Sequence, residues 1–147
     1  MNTSQAPATA PAKEEIQETT QAGKKILIVD DDEFMRFAIT HKLREAGYLV
    51  SAAADGGEAI EQLKKARPDL ILLDLMMPYV SGPDFLHLIN THYSSEPKIP
   101  VIIISSLDQA ELREAGYKLE GYHFIPKPLI ISELLHWIKH FLAFGEN

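Results

Sequence analysis

Asp30, Asp31 and Asp32 stand together directly after Ile26-Leu27-Ile28-Val29, and a further carboxylate, Asp74, directly follows Leu70-Ile71-Leu72-Leu73. A hydroxyl, Ser105, closes the run Val101-Ile102-Ile103-Ile104, and an ammonium, Lys127, follows Phe124-Ile125-Pro126. Carboxylates crowded into one place repel each other unless a cation or protons intervene. Brought together, Asp30, Asp31 and Asp74 would make an oxygen-rich site for a hard divalent ion. Magnesium suits it best, because it accepts one or two carboxylates alongside waters and phosphate oxygens. A carboxylate in such a site can attack phosphorus and become an aspartyl phosphate. The ion would neutralise the transferring oxygens, a lysine would pair with the new phosphate, and a hydroxyl such as Ser105 could hydrogen-bond it. The indicated chemistry is metal-assisted phosphoryl transfer.

Taken alone, Asp30 to Asp32 also read as a solvated loop or a helix cap, and Asp32 suits the N-cap of a following helix. Asp74 is harder to explain that way. It ends a strongly apolar run and precedes Leu75-Met76-Met77-Pro78, with Gly82 eight residues on.

The elements that would position these groups can be read from periodicity. Short β-branched runs between helix-period segments read as buried parallel strands, and such sheets gather functional groups outside the carboxyl ends of their strands. The predicted strands are 24–30, 48–53, 70–74, 101–105 and 122–125. The predicted helices are 33–46, 57–66, 83–93, 108–118 and 131–144. In the first helix Phe34, Phe37, Ala38 and Leu43 are candidate core residues, and Gly47 is its stop. Ile60 and Leu63 are expected inward on the second, which Arg67-Pro68 breaks. Pro83 can open the third, and Pro97 and Pro100 frame the loop before strand four. Leu134, Leu135, Ile138, Phe141 and Leu142 recur at helical spacing in the last. Strands alternating with helices give an open α/β sheet covered on both faces.

With 147 residues, 46% of them hydrophobic, the chain suits one domain with a substantial core. Residues 1–23, rich in Ala, Pro, Thr and Gln with Ile16 the single large aliphatic, read as a flexible tail. The ordered domain is expected over 24–144, ending soon after the fifth helix and leaving no room for an attached output domain. No apolar run approaches the roughly 18 residues of a membrane span. The first residues lack a signal-peptide core, which points to a cytoplasmic protein. Cysteine is absent, excluding disulfides and thiolate metal sites, and the six histidines show no metal-binding spacing such as HExxH. A net charge of −7 with no basic stretch argues against direct nucleic-acid binding.

Ile28-Val29-Asp30-Asp31, Asp74-Leu75-Met76-Met77-Pro78 with Gly82, Pro100-Val101-Ile102 leading to Ser105, and Lys127-Pro128 together resemble the receiver domain of two-component response regulators. The resemblance covers roughly 24–144 and is specific in order and spacing. It implies a flavodoxin-like, doubly wound five-stranded parallel sheet of order 2-1-3-4-5 with five helices, and Asp74 as phosphoacceptor. It further implies that Mg2+ is held by Asp31, Asp74 and the backbone carbonyl of Met76, with Asp30 helping through water. Ser105 becomes the switch hydroxyl, Lys127 the phosphate-binding lysine and Phe124 the aromatic switch residue, its inward state stabilised by burial since Phe lacks a hydroxyl. The bond equivalent to Lys127-Pro128 is usually cis in the family. Met76 and Leu107 would flank the phosphoryl group as rate-tuning positions. Both are large and apolar and cannot orient a water, which predicts slow self-dephosphorylation. Ser106, the late Gly121 and Pro126 depart from the family pattern, so helix four and its exit are the least typical region.

The resemblance implies a stand-alone switch that takes phosphate from a sensor histidine kinase or histidine phosphotransfer protein and then binds a downstream protein. It would act as a monomer or a phosphorylation-linked dimer. The output face would be built from helix four, strand five and helix five, with Tyr122, His123, Trp137 and His140 as candidate exposed members. Loops around Phe34 to Phe37 and Lys127 to Leu129 would dock the phosphodonor. Three other readings compete. A small aspartyl-phosphate phosphatase would need a carboxylate where Met76 stands. A phosphorylation-independent adaptor would not need the full polar set. A flavin-binding relative would be repelled by Asp30-Asp31-Asp32.

Overall fold

The structure is a computed structural model that describes residues 22–75, 85–87, 89, 98–117 and 122–144. Nearly all of the 1–23 tail, together with Met76, Met77, Pro78, Gly82 and Pro83, lies outside the described residues. In chain order the elements are β1 (Lys25–Val29), α1 (Glu33–Glu45), β2 (Leu49–Ala53), α2 (Gly56–Lys65), β3 (Leu70–Asp74) and the helical residues 85–87 and 89 (α3). They continue with β4 (Val101–Ser105), α4 (Gln109–Glu114), β5 (His123–Pro126) and α5 (Ile131–Phe144). The five strands form one sheet in the order β2-β1-β3-β4-β5, and every pairing is parallel.

Strand alternation sends side chains to two cores, one on each face. Leu27, Val29, Ile71, Leu73, Val101 and Ile103 meet Ala59 and Leu63 of α2, Phe85 and Ile89 of α3, and Leu112 of α4. Ile26, Ile28, Leu70, Leu72, Ile102, Ile104 and Ile125 meet Ile39 and Leu43 of α1 and Leu134 and Ile138 of α5. The central strands β3 and β4 are buried throughout. This double cover is why they read as unbroken apolar runs. It also leaves the strand ends as the place where polar side chains can gather.

The helix starts follow local chemistry. The Asp32 carboxylate accepts from the Met35 amide and caps α1, and Asp55 does the same for α2 at the Glu58 amide. Gly47, at φ 100°, ends the turn after α1 in the left-handed region that favours glycine. On α1 Leu43 is buried as expected, but the rest of the expected inward face needs correction. Phe34 and Phe37 are 86% and 73% exposed, and Ala38 is exposed too. The buried stripe is Met35, Ile39 and Leu43 at i, i+4 spacing. Either phase puts three apolar residues on one face, and only docking against β1, β2 and α5 selects between them.

On α2, Leu63 is buried and Ile60 packs partly against the core as expected. Helix α4 is shorter than the predicted 108–118, because Asp108 is its cap and Gly116 turns the chain at φ 99°. Strand β5 begins one residue later than predicted and includes Pro126, which sits opposite Ser105 on an edge strand where a missing donor is tolerated. The Lys127-Pro128 bond is cis. No helix among the described residues is long and apolar enough to cross a membrane.

Candidate functional site

β1, β3 and β5 run in the same direction, so their carboxyl ends open on one side of the sheet. Asp30 directly follows β1, Asp74 is the last residue of β3, and Lys127 directly follows β5. One carboxylate oxygen each from Asp30, Asp31 and Asp74 lie within 4.8 Å of one another. Lys127 Nζ stands 3.5 Å from Asp74 Oδ2. Residues separated by more than forty positions in sequence thus share one cleft.

The cluster is half sunk into the fold. Asp30 and Asp74 are 2% and 4% exposed, whereas Asp31 is open to solvent. Backbone contacts hold Asp30 in place: its amide donates to the Ala53 carbonyl at 3.0 Å, and the Arg36 guanidinium donates to its carbonyl at 2.8 Å. The Asp32 amide donates to Asp30 Oδ1 at 2.9 Å. Burial still dominates its ionisation and pushes the carboxyl up from 3.8 to about 6. The Asp32 amide and Lys127 oppose that rise, and the neighbouring Asp74 reinforces it. One lysine against three carboxylates leaves the cleft short of positive charge. An all-oxygen donor set with a charge deficit fits a hard divalent cation such as Mg2+.

Ser105 ends β4 and is fully buried. Since Asp74 pairs with Ile104, Ser105 lies one step beyond the acid on the adjacent strand. Its Oγ accepts from the Leu107 amide at 3.1 Å, and its carbonyl accepts from the Lys127 amide at 2.9 Å. The hydroxyl therefore sits between the cleft and the start of the α4 loop. Leu107 and Phe124 are half-buried against the core on the α2–α4 side of the sheet. Met76 lies outside the described residues.

Two contributors had escaped the sequence reading. Arg36 braces Asp30 from a full turn inside α1. The Tyr117 hydroxyl donates to the Leu75 carbonyl at 3.3 Å, just past Asp74. Burial, and then the charge of Asp74, hold that phenol above its ordinary value. Neither residue carries a motif, because each becomes relevant only when the chain folds back.

The candidate output face is less exposed than predicted. Tyr122, His123 and Trp137 are half-buried, and only His140 is exposed. The His123 ring lies 4.2 Å from that of Trp137 and 5.4 Å from that of Phe141. Burial, helped by the charge of His140, holds the His123 imidazole below its ordinary value. Phe34 and Phe37 are instead among the most exposed large apolar side chains described.

The sequence pattern of the response regulator receiver domain matches residues 26–139. The probable transcriptional regulatory protein TcrX of Mycobacterium tuberculosis is 34% identical over 110 residues, which is 75% of this chain and 46% of that protein. The response regulator MprA of Mycobacterium leprae is 35% identical over 118 residues, covering 80% and 50% respectively. This chain therefore spans about half the length of these curated relatives. Among solved structures, the chemotaxis protein CheY4 of Vibrio cholerae superposes with a TM-score of 0.71 at 30% identity. That superposition covers 81% of this chain and 98% of CheY4. With the family's pattern spanning most of its length on the matching sheet order, the chain belongs to the response regulator receiver domain family.

Proposed function

We propose that this protein is a phosphorylation switch in which Asp74 accepts a phosphoryl group from a phosphohistidine donor. The observation that carries this reading is the cleft itself: three carboxylates with oxygens within 4.8 Å and Lys127 Nζ 3.5 Å from Asp74 Oδ2. An Asp74 oxygen forms the new O–P bond while the donor's N–P bond breaks, and the released imidazole takes up a proton. Asp31 and Asp74, with the Met76 carbonyl, would hold Mg2+, and Asp30 would bind it through water. The bound ion supplies charge neutralisation on the transferring oxygens. Lys127 pairs with the phosphoryl oxygens, and Ser105 trades its Leu107 amide for the same group.

That trade links chemistry to conformation. When Ser105 turns toward phosphate, the α4 loop loses a bond at Leu107 and Phe124 gains room to turn inward. The face built from α4, β5 and α5 then changes its affinity for a downstream protein. Exposed Phe34 and Phe37, with the 127–129 loop, flank the cleft and offer a docking surface to a sensor histidine kinase or histidine phosphotransfer protein. The protein acts on itself alone, catalysing at most its own phosphorylation and dephosphorylation. The net charge of −7 supports a switch that does not bind nucleic acid directly.

Incubation with acetyl phosphate and Mg2+, followed by intact mass measurement, tests the reading. Wild type should gain one phosphoryl group, whereas Asp74→Ala and magnesium-free protein should gain none. Equal labelling of Asp74→Ala would move the acceptor elsewhere.

A further inference from the structure

We propose that Tyr117 is a positioning residue for Asp74, holding through its hydroxyl the peptide that follows the acid and so setting the aim of the carboxylate. This rests on the reading of Asp74 as phosphoacceptor. The sheet ladder between β3 and β4 ends at the pair Asp74–Ile104. Leu75 lies just past that pair, and the Tyr117 hydroxyl, from a residue 42 positions away, donates to its carbonyl oxygen at 3.3 Å.

The approach of Tyr117 is built into the end of α4. Gly116 takes φ 99°, its amide donates to the Arg113 carbonyl at 3.0 Å, and the Tyr117 amide donates to the Leu112 carbonyl at 3.0 Å. These two bonds are a Schellman closure of the helix. Leu112 is fully buried, and the Tyr117 ring packs against the same core. The phenol therefore hangs from an anchored helix end. The helix end thus delivers the hydroxyl to the carbonyl of the residue that follows Asp74.

Small displacements of a reacting group cost rate even when the fold survives. A hydroxyl bond of 3.3 Å is at the long end, so the expected effect is modest. Tyr117→Phe keeps the ring and loses the bond, whereas Tyr117→Leu loses both. With acetyl phosphate over a concentration series at saturating Mg2+, Tyr117→Phe should phosphorylate about fivefold more slowly at saturation, equivalent to about 1 kcal/mol. Its half-saturating concentration should stay unchanged and its thermal midpoint should stay within about 3 °C of wild type. Amide resonances of Asp74 and Leu75 should shift in the variant, while those of β2 should not.

Tyr117→Phe as fast as wild type, with only Tyr117→Leu slow, would overturn the proposal in favour of ring packing. A change confined to half-saturation would overturn it too, by pointing to donor binding. If wild type itself is never labelled, the phosphoacceptor reading has failed, a result distinct from equal rates in wild type and Tyr117→Phe.

Discussion

Replacing Asp30 by Asn should stabilise the metal-free protein at neutral pH, although Asp30 belongs to the candidate metal site. Burial first, with Asp74 adding, raises the folded-state carboxyl from 3.8 to about 6. Below the lower value both folded and unfolded chains hold the proton, and the group's stabilising share is fully present. Between the two values the unfolded chain releases its proton while the folded chain keeps it, so stability falls as pH rises. Above about 6 the loss is complete. A rise of that size corresponds to about 3 kcal/mol. Water at the mouth of the cleft screens part of it, so we take about 1.5 kcal/mol. For a domain of this size that is about 6 °C in thermal midpoint. The assay is differential scanning fluorimetry of wild type and Asp30→Asn in a chelator, from about pH 4 to about pH 8. Since other carboxylates titrate in both proteins, the difference between them isolates Asp30. The Asn variant should gain steadily on wild type up to about pH 6 and then hold its lead. Mg2+ should close the gap at pH 7.5 by binding the folded wild type. A gap that does not grow with pH, or an Asn variant less stable than wild type at pH 7.5, would refute the argument.

Three further outcomes follow from particular residues. Leu107 offers no hydrogen bond to a water, so the phosphorylated protein should keep its phosphate for minutes or longer, and Leu107→Glu combined with Met76→Asn should shorten that lifetime. Loss of phosphate within seconds from purified wild type, or a double variant no faster than it, would count against the role given to these side chains. Thr40 Oγ1 is buried with no hydrogen-bond partner among the described residues; Thr40→Val should therefore raise stability by about 1 kcal/mol, read from a urea midpoint. Phe34→Ala with Phe37→Ala should leave the thermal midpoint and acetyl phosphate labelling unchanged, yet slow transfer from a phosphorylated donor protein about tenfold. Equal slowing with both donors would place these rings in the chemistry rather than in docking.

How much of this was legible in the chain depends on the range of the interaction concerned. The strands were readable because β3 and β4 are covered on both faces, which demands continuous apolar runs such as Leu70-Ile71-Leu72-Leu73. Helix starts were readable where capping is local, as at Asp32, which serves an amide three residues on. The polar set at the strand ends followed from the same runs, since each run ends in, or is directly followed by, one of these residues. The face of α1 was not legible, because Phe34, Phe37 and Ala38 make as good an apolar stripe as Met35, Ile39 and Leu43 until the sheet chooses. Nor was the length of α4 read correctly, because Gly116 ends it against an otherwise helical sequence.

The sequence by itself determined which residues carry charge and hydroxyl, and that each stands at the end of a strand, since periodicity and termini are properties of neighbouring residues. Tertiary structure alone decided that Asp30 is buried deeply enough to hold its proton to about 6. It alone decided that Arg36 braces Asp30 and that Tyr117 reaches Leu75. Desolvation and long-range hydrogen bonds depend on what the rest of the chain places around a group, and no local pattern encodes that.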